Sequence, residues 1–197
     1  MKRSDKIIKR LFDIIVSSIG LLLVGWIIII AAIIARFDTK LSGFFKQKRV
    51  GQHGKIFKVL KLRSMKNVEG INTTVSTIKD PRITKIGNFW RRSKIDELPQ
   101  LINVFLGDMS LVGPRPDVQG FADQLEGEDR IILTIKPGIT GPASIFFKDE
   151  ENLLANQDNP EVYNKEVIWP KKVEINKAYI QNYSFFKDIK YIIKTFF

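Results

Sequence analysis

The longest hydrophobic pattern in the chain is IIVSSIGLLLVGWIIIIAAIIA, Ile14 to Ala35, with no charged residue in 22 positions. A straight helix of that length reaches about 33 Å, roughly the hydrocarbon thickness of a bilayer. A run apolar on every side suits a soluble core helix poorly. It is also too long for a signal peptide, and no small-residue cleavage site precedes polar sequence. The pattern therefore predicts a membrane-embedded helix. Shorter patterns follow. In GKIFKVLKLRSM, Gly54 to Met65, apolar Ile56, Val59 and Leu60 are interspersed with lysines, which predicts a short strand after the GQHG turn. LPQLINVFLG, Leu98 to Gly107, carries proline near its first turn and glycine at its end, as a short helix does. Near the C-terminus, Phe185, Ile189, Ile192, Ile193 and Phe196 recur at helical spacing, with Lys187, Asp188, Lys190 and Lys194 on other faces. That helix either lies in the headgroup plane or packs on its own domain.

These elements predict a mainly α fold with a small β element, an α+β class. Residues 1–36 form an N-terminal membrane-anchoring segment, and residues 37–197 form one domain ending in the amphipathic helix. VGPRPDVQG and KPGITGP read as Pro/Gly-rich loops able to fix a ligand-facing path.

Charge sharpens the picture around the anchor. Residues 1–66 carry fifteen Lys plus Arg against three Asp, a balance of +12, which leaves −1 of the total +11 for residues 67–197. The basic excess thus flanks the apolar run on both sides. Lysine and arginine flanks prefer the cytoplasmic face, so a simple span strands one cluster outside. A segment that enters and returns to the same face removes the conflict, and Gly25-Trp26 is where its break is expected.

Composition narrows the chemistry. With no cysteine and the single histidine His53, the chain has no thiolate nucleophile, no disulfide and no set of zinc ligands. Carboxylates, hydroxyls, amides and cations remain. In RRSKIDELPQLINVF, Asp96 and Glu97 sit behind three cations and ahead of the short helix. The ordinary role for such a pair is to cap that helix and favour its positive end. The surroundings hold more cation than capping needs: Arg82, Lys85, Arg91, Arg92 and Lys94 upstream, Arg115 downstream. A carboxylate that attacks an anionic phosphorus needs such neutralisation, and carboxylates are the oxygen ligands Mg²⁺ takes beside phosphates. The pair therefore suits phosphoryl transfer through an aspartyl phosphate.

KDPRITKIGNFWRRSKIDELPQLINVFLGDMSLVGPRPD, Lys79 to Asp117, closely resembles the core signature of the bacterial sugar transferases, the monotopic phosphoglycosyl transferases that start glycoconjugate assembly. KRLFDIIVSSIGLLL, FFKQKRVGQHGKIFKVLKLRSM, KPGITGPASI and the C-terminal stretch from Trp169 extend the similarity over nearly the whole chain, in what looks like the minimal catalytic unit. The resemblance implies a UDP-sugar donor, a polyprenyl (undecaprenyl) phosphate acceptor and Mg²⁺. It implies Asp96 as nucleophile and Glu97 as its acidic partner in metal positioning or proton handling, with both carboxylates near the metal. Arg115 is the expected phosphate-binding residue, with Lys61, Arg63 and Arg91 as further clamps. The site is expected at the cytoplasmic face of the bacterial inner membrane, with membrane lipids as partners and no role for nucleic acid. One departure stands out: relatives often carry Ser-Pro where this chain has Val24-Gly25-Trp26, and without proline a straight span becomes more thinkable. A basic membrane adaptor is the non-enzymatic alternative. The sugar, for which Asp117, Gln119 and ASIFFKDEENLLA are candidate lining, and any homodimer stay open.

Overall fold

The structure is a computed structural model that describes residues 1–68 and 80–196. Lys79 of the signature stretch and the terminal Phe197 lie outside the described residues. The chain folds as one long helix laid along a mostly helical domain with two small sheets.

Helix α1 runs from Arg3 to Thr39 and ends at Lys40, whose φ of 57° turns the chain out of the helix. It stays helical through Gly25 and Trp26, so the interruption expected there is absent. No proline removes a donor, and a Cβ on Gly25 would meet nothing within 4 Å among the described residues, so nothing there forces a bend. One stripe of α1 is buried: Lys9, Asp13, Ser17, Ile28, Ala31, Ala32, Ala35 and Thr39. Ile15, Leu22, Trp26, Ile29, Ile33 and Phe37 remain exposed on the other side. Helical spacing therefore separates a protein-facing stripe from an apolar outer surface.

Both ends of α1 are tied to the same domain. Lys9 Nζ donates to Asp188 Oδ2 at 2.5 Å, and Asp188 also accepts from the hydroxyls of Tyr179 at 2.6 Å and Tyr183 at 3.3 Å. Asp13 Oδ1 accepts from Ser110 Oγ at 3.1 Å and from the Leu111 amide at 3.0 Å. Arg10 donates to the carbonyls of Val104 and Phe105 at 2.7 and 2.8 Å, closing the C-terminal end of helix α3 (Gln100–Leu106), where a cation is favoured. Toward the other end, Ala32 lets the backbone approach so closely that a Cβ on Gly43 would lie 1.9 Å from its carbonyl oxygen.

Strands β1 (Phe44–Val50) and β2 (Ile56–Leu62) form the antiparallel hairpin, in register from Phe44 opposite Leu62 to Val50 opposite Ile56. The predicted strand after GQHG is β2. His53 and Gly54 turn the hairpin with φ of 58° and 76°, the left-handed region that glycine enters without cost. Helix α2 spans Lys85–Ser93 and is capped by the Thr84 hydroxyl, which accepts from the Gly87 amide at 2.8 Å. Strands β3 (Ser110–Val112) and β4 (Gly138–Thr140) pair in parallel. Short helices α4 (Pro142–Phe146), α5 (Glu150–Ala155) and α6 (Pro160–Tyr163) lead into α7 (Trp169–Gln181) and α8 (Phe185–Phe196).

Two cores result. Val50, Val104, Met109, Val112, Ile132, Ile135, Tyr179 and Ile180 fill the larger, and Ile28, Ala31, Ala35, Leu62 and Trp90 join α1 to the smaller. Helix α8 packs on its own domain, one of the two expected roles. Asp188 is 1% exposed, not on an outer face, and Ile192 packs on the larger core, while Phe186 and Ile193 stay exposed.

The Lys9–Asp188 pair is almost entirely removed from solvent, so deleting one member strands the other charge. Asp188→Ala should therefore destabilise the detergent-solubilised protein by about 3–5 kcal/mol in denaturant titration. The double exchange Lys9→Met with Asp188→Leu should recover most of that loss. Equal stability of Asp188→Ala and the unaltered chain would refute the account.

Candidate active site

The acidic pair is presented by a backbone device. Helix α2 stops at Lys94, which adopts φ 58°, and the next three residues, Ile95–Glu97, form a single 3₁₀ turn before Pro99 leads into α3. Helix α3 has no side-chain cap among the described residues, so capping is not what Asp96 does. Asp96 is 6% exposed, and its Oδ1 is buried without a hydrogen-bond partner among the described residues. Burial first, and the neighbouring Glu97 charge second, push its pKa above the ordinary carboxylate value, against Lys61, Arg91 and Lys94. A poorly solvated, more basic carboxylate is a better nucleophile than one dissolved in water.

Glu97 has the opposite environment. Lys61 Nζ donates to its Oε1 at 3.1 Å, and Arg115 donates to Oε1 at 2.5 Å and to Oε2 at 3.3 Å. Burial alone would raise its pKa, but Arg115 and Lys61 outweigh it and hold Glu97 well below the usual range. Glu97 in turn raises the Arg115 pKa, while burial lowers that of Lys61 more than Glu97 restores it. The clamp draws on three remote segments: β2, the turn after α2 and the loop after β3.

These groups open on one cleft of about 1640 Å³, and all six sequence-predicted residues, Lys61, Arg63, Arg91, Asp96, Glu97 and Arg115, line it. Lys61 and Arg115 meet Glu97 directly. Arg63 stands at the wall, donating to the Ser42 carbonyl at 2.7 Å and lying 5.3 Å from the Phe45 ring. Arg91 pairs with Glu151 of α5.

Sequence reasoning missed Arg49. Its Nε and Nη2 donate to Gln47 Oε1 at 3.1 and 2.6 Å, and its Nη1 donates to the Pro116 carbonyl at 3.2 Å, which ties β1 to the loop that carries Arg115. Burial and the nearby Arg115 charge lower its pKa to about 10. The i, i+2 spacing of Phe45, Gln47 and Arg49 along a strand was the available signal. Lys172 was also missed. It reaches the cleft from α7 and pairs with Glu150 at 2.7 Å. Asp117 lines the cleft as expected, with burial pushing its pKa up to about 6, whereas Gln119 is exposed and outside the lining.

No group of three or more His, Asp or Glu side chains suited to a metal occurs among the described residues. The acidic pair nonetheless fits Mg²⁺. Asp96 Oδ1 is an open buried oxygen, Glu97 Oε2 holds one long bond among the described residues, and Mg²⁺ characteristically takes one or two carboxylates and fills its remaining positions with substrate phosphates and water.

Comparison with known proteins places the chain among sugar transferases. Over 98% of its length the chain is 37% identical to a UDP-glucose:undecaprenyl-phosphate glucose-1-phosphate transferase of Escherichia coli (strain K12), of which it covers 40%. It is 32% identical, over 95% of its length and 42% of the relative's, to a UDP-N-acetylgalactosamine-undecaprenyl-phosphate N-acetylgalactosaminephosphotransferase of Aeromonas hydrophila. It is 30% identical to the exopolysaccharide production protein ExoY of Rhizobium meliloti (strain 1021), over 95% of this chain and 83% of that one. The chain thus spans about two fifths of the length of the first two. The profile described as bacterial sugar transferase matches residues 4–197, and with the relatives it establishes that the chain belongs to the bacterial sugar transferase family.

Proposed function

We propose that the chain transfers a sugar 1-phosphate from a UDP-sugar to a polyprenyl phosphate, undecaprenyl phosphate by analogy with its relatives, and so starts assembly of a glycoconjugate. The observation that carries this reading is the open, buried Oδ1 of Asp96 beside a Glu97 clamped by Lys61 and Arg115 in a cationic cleft.

In the first half-reaction an Asp96 carboxylate oxygen bonds to the sugar-bearing β-phosphorus. The bond from that phosphorus to the bridging oxygen breaks, and UMP leaves with the oxygen. In the second, an oxygen of the lipid phosphate attacks the same phosphorus and releases Asp96, giving a polyprenyl diphosphate sugar. Arg115 and Lys61 place fixed positive charge where the phosphates gather, which needs no reorganisation during reaction. Mg²⁺ bound at the Asp96–Glu97 pair would add neutralisation of phosphate charge. Small-ligand sites are usually ~300–1,000 Å³, so a cleft of about 1640 Å³ has room for the donor and the lipid head group in turn.

The anchor suits one soluble and one bilayer-resident substrate. The exposed apolar face of α1 would sit in the lipid, and basic flanks contribute about 1 kcal/mol per cation near anionic headgroups. Because Lys9, Arg10 and Asp13 dock on the same domain as Ala32 and Ala35, we place both flanks on one face, the cytoplasmic face of the bacterial inner membrane. Crossing would require those buried polar bonds to break.

Offered a panel of UDP-sugars with Mg²⁺ and lipid phosphate, the reconstituted protein should release UMP. Asp96→Asn should lower that rate at least about 10³-fold while the protein stays in the membrane; undiminished turnover would remove the nucleophile assignment. Attack needs ionised Asp96, whose pKa is raised. Activity is therefore present above that pKa and lost as pH falls through it, so the acid limb of kcat/KM should lie above the ordinary aspartate value of about 3.9. A limb at or below that value would contradict the burial argument. Finally, Lys2→Cys supplies the chain's only thiol and should be shielded from an impermeant reagent in intact cells; labelling from outside would overturn the one-face topology.

A further inference from the structure

Strand β2 pairs with β1 along one edge, and among the described residues no strand covers the other. A side chain of α3, Asn103, meets the backbone there instead. The Leu60 amide donates to Asn103 Oδ1 at 2.9 Å, and Asn103 Nδ2 donates to the Lys58 carbonyl at 2.9 Å. Asn103 is 4% exposed, so both bonds are shielded from water. A carbonyl only accepts and a backbone N–H only donates, so the two together require a side chain that offers one acceptor and one donor. A carboxylate lacks the donor, and an aliphatic side chain lacks both.

Such a double bond fixes position as well as contact. The backbone groups of successive residues in a strand face opposite edges, so the next pair open to α3 lies two residues along, about 7 Å away. A shift of that size would carry Lys61, which follows Leu60, away from Glu97, whose Oε1 it reaches at 3.1 Å. Glu97 moves with α3, because backbone bonds of 3.1 Å from Leu101 to Leu98 and 3.0 Å from Ile102 to Pro99 join its turn to the helix. Arg115 reaches Glu97 from the loop after β3, so of the two cations only Lys61 stands on the strand that the amide grips.

Building on the transferase reading, we infer that Asn103 is a positioning residue: its side-chain amide sets the register of β2 against α3 and thereby holds Lys61 on Glu97 for binding of the donor phosphates. Asn103 touches neither substrate nor the reacting phosphorus and acts through Lys61.

The test uses the full chain in lipid with Mg²⁺, lipid phosphate and the best-accepted of UDP-glucose, UDP-galactose and UDP-N-acetylglucosamine, with UMP release as the readout. Asn103→Ala should raise the donor KM about 10-fold. Asn103→Asp should raise it too, since it keeps an acceptor for Leu60 but opposes the Lys58 carbonyl and Asp108, whose Oδ2 lies 3.4 Å from Asn103 Nδ2. An unfolded fraction lowers the maximal rate and leaves KM where it was, so KM separates positioning from loss of structure. In a Lys61→Met background, Asn103→Ala should change KM by less than about twofold, because no cation is left to position. An unchanged KM in either Asn103 variant, an increase of equal size with and without Lys61, or an absence of active protein in both variants overturns the inference. Any of these with an unaltered chain that releases UMP rejects only the role of Asn103. An unaltered chain that releases no UMP from any of the three donors rejects the transferase reading, and the inference with it.

Discussion

The grip of Lys61 and Arg115 on Glu97 is the interaction on which the site is built. It brings β2, the 3₁₀ turn after α2 and the loop after β3 to one point, and it keeps Glu97 ionised although burial opposes that. Ion pairs that are partly buried are weak contributors to stability, because desolvation offsets much of the Coulomb gain. The arrangement is better explained by what it does to its neighbour. With Glu97 held negative, Asp96 stands beside a fixed like charge in a buried position, which makes it more basic and leaves one oxygen open. A single turn thus carries two adjacent carboxylates in contrasting states, and the contrast arises from their surroundings.

The anchor depends on a different set of buried polar bonds. A helix with an apolar outer surface would drift freely in a bilayer, but the Lys9–Asp188 and Asp13–Ser110 contacts and the Arg10 bonds to the end of α3 fix its rotation and depth against the domain. The same α3 begins four residues after Asp96. The element that contacts the anchor is therefore almost continuous with the turn that carries Asp96. Asp188 links α1, α7 and α8 through one carboxylate, so the two ends of the chain are held by the same buried charge.

Much of this was legible in the residues. The apolar run, the hairpin strand after GQHG, the short helix ending at Gly107 and the C-terminal helix follow from periodicity and from Pro/Gly punctuation, which act locally. The carboxylate pair and its cations could be picked out because their types and number exceed what a helix start requires. What failed was equally local in origin. Gly25-Trp26 reads as a break, but glycine permits a bend without imposing one, and no proline stands there. Asp188 reads as an outward charge on an amphipathic helix, and only its partner Lys9, 179 positions away, makes burial tolerable.

Local order, the long apolar helix and the adjacency of the Asp96 and Glu97 carboxylates were thus determined by the sequence alone, since each rests on neighbours along the chain. The tertiary structure decided how those carboxylates differ, which cations meet them, and that Arg49, Lys172, Asp117 and Ser144 share their cleft. Burial and charge proximity are properties of space, and residues far apart in the chain acquire them only when it folds.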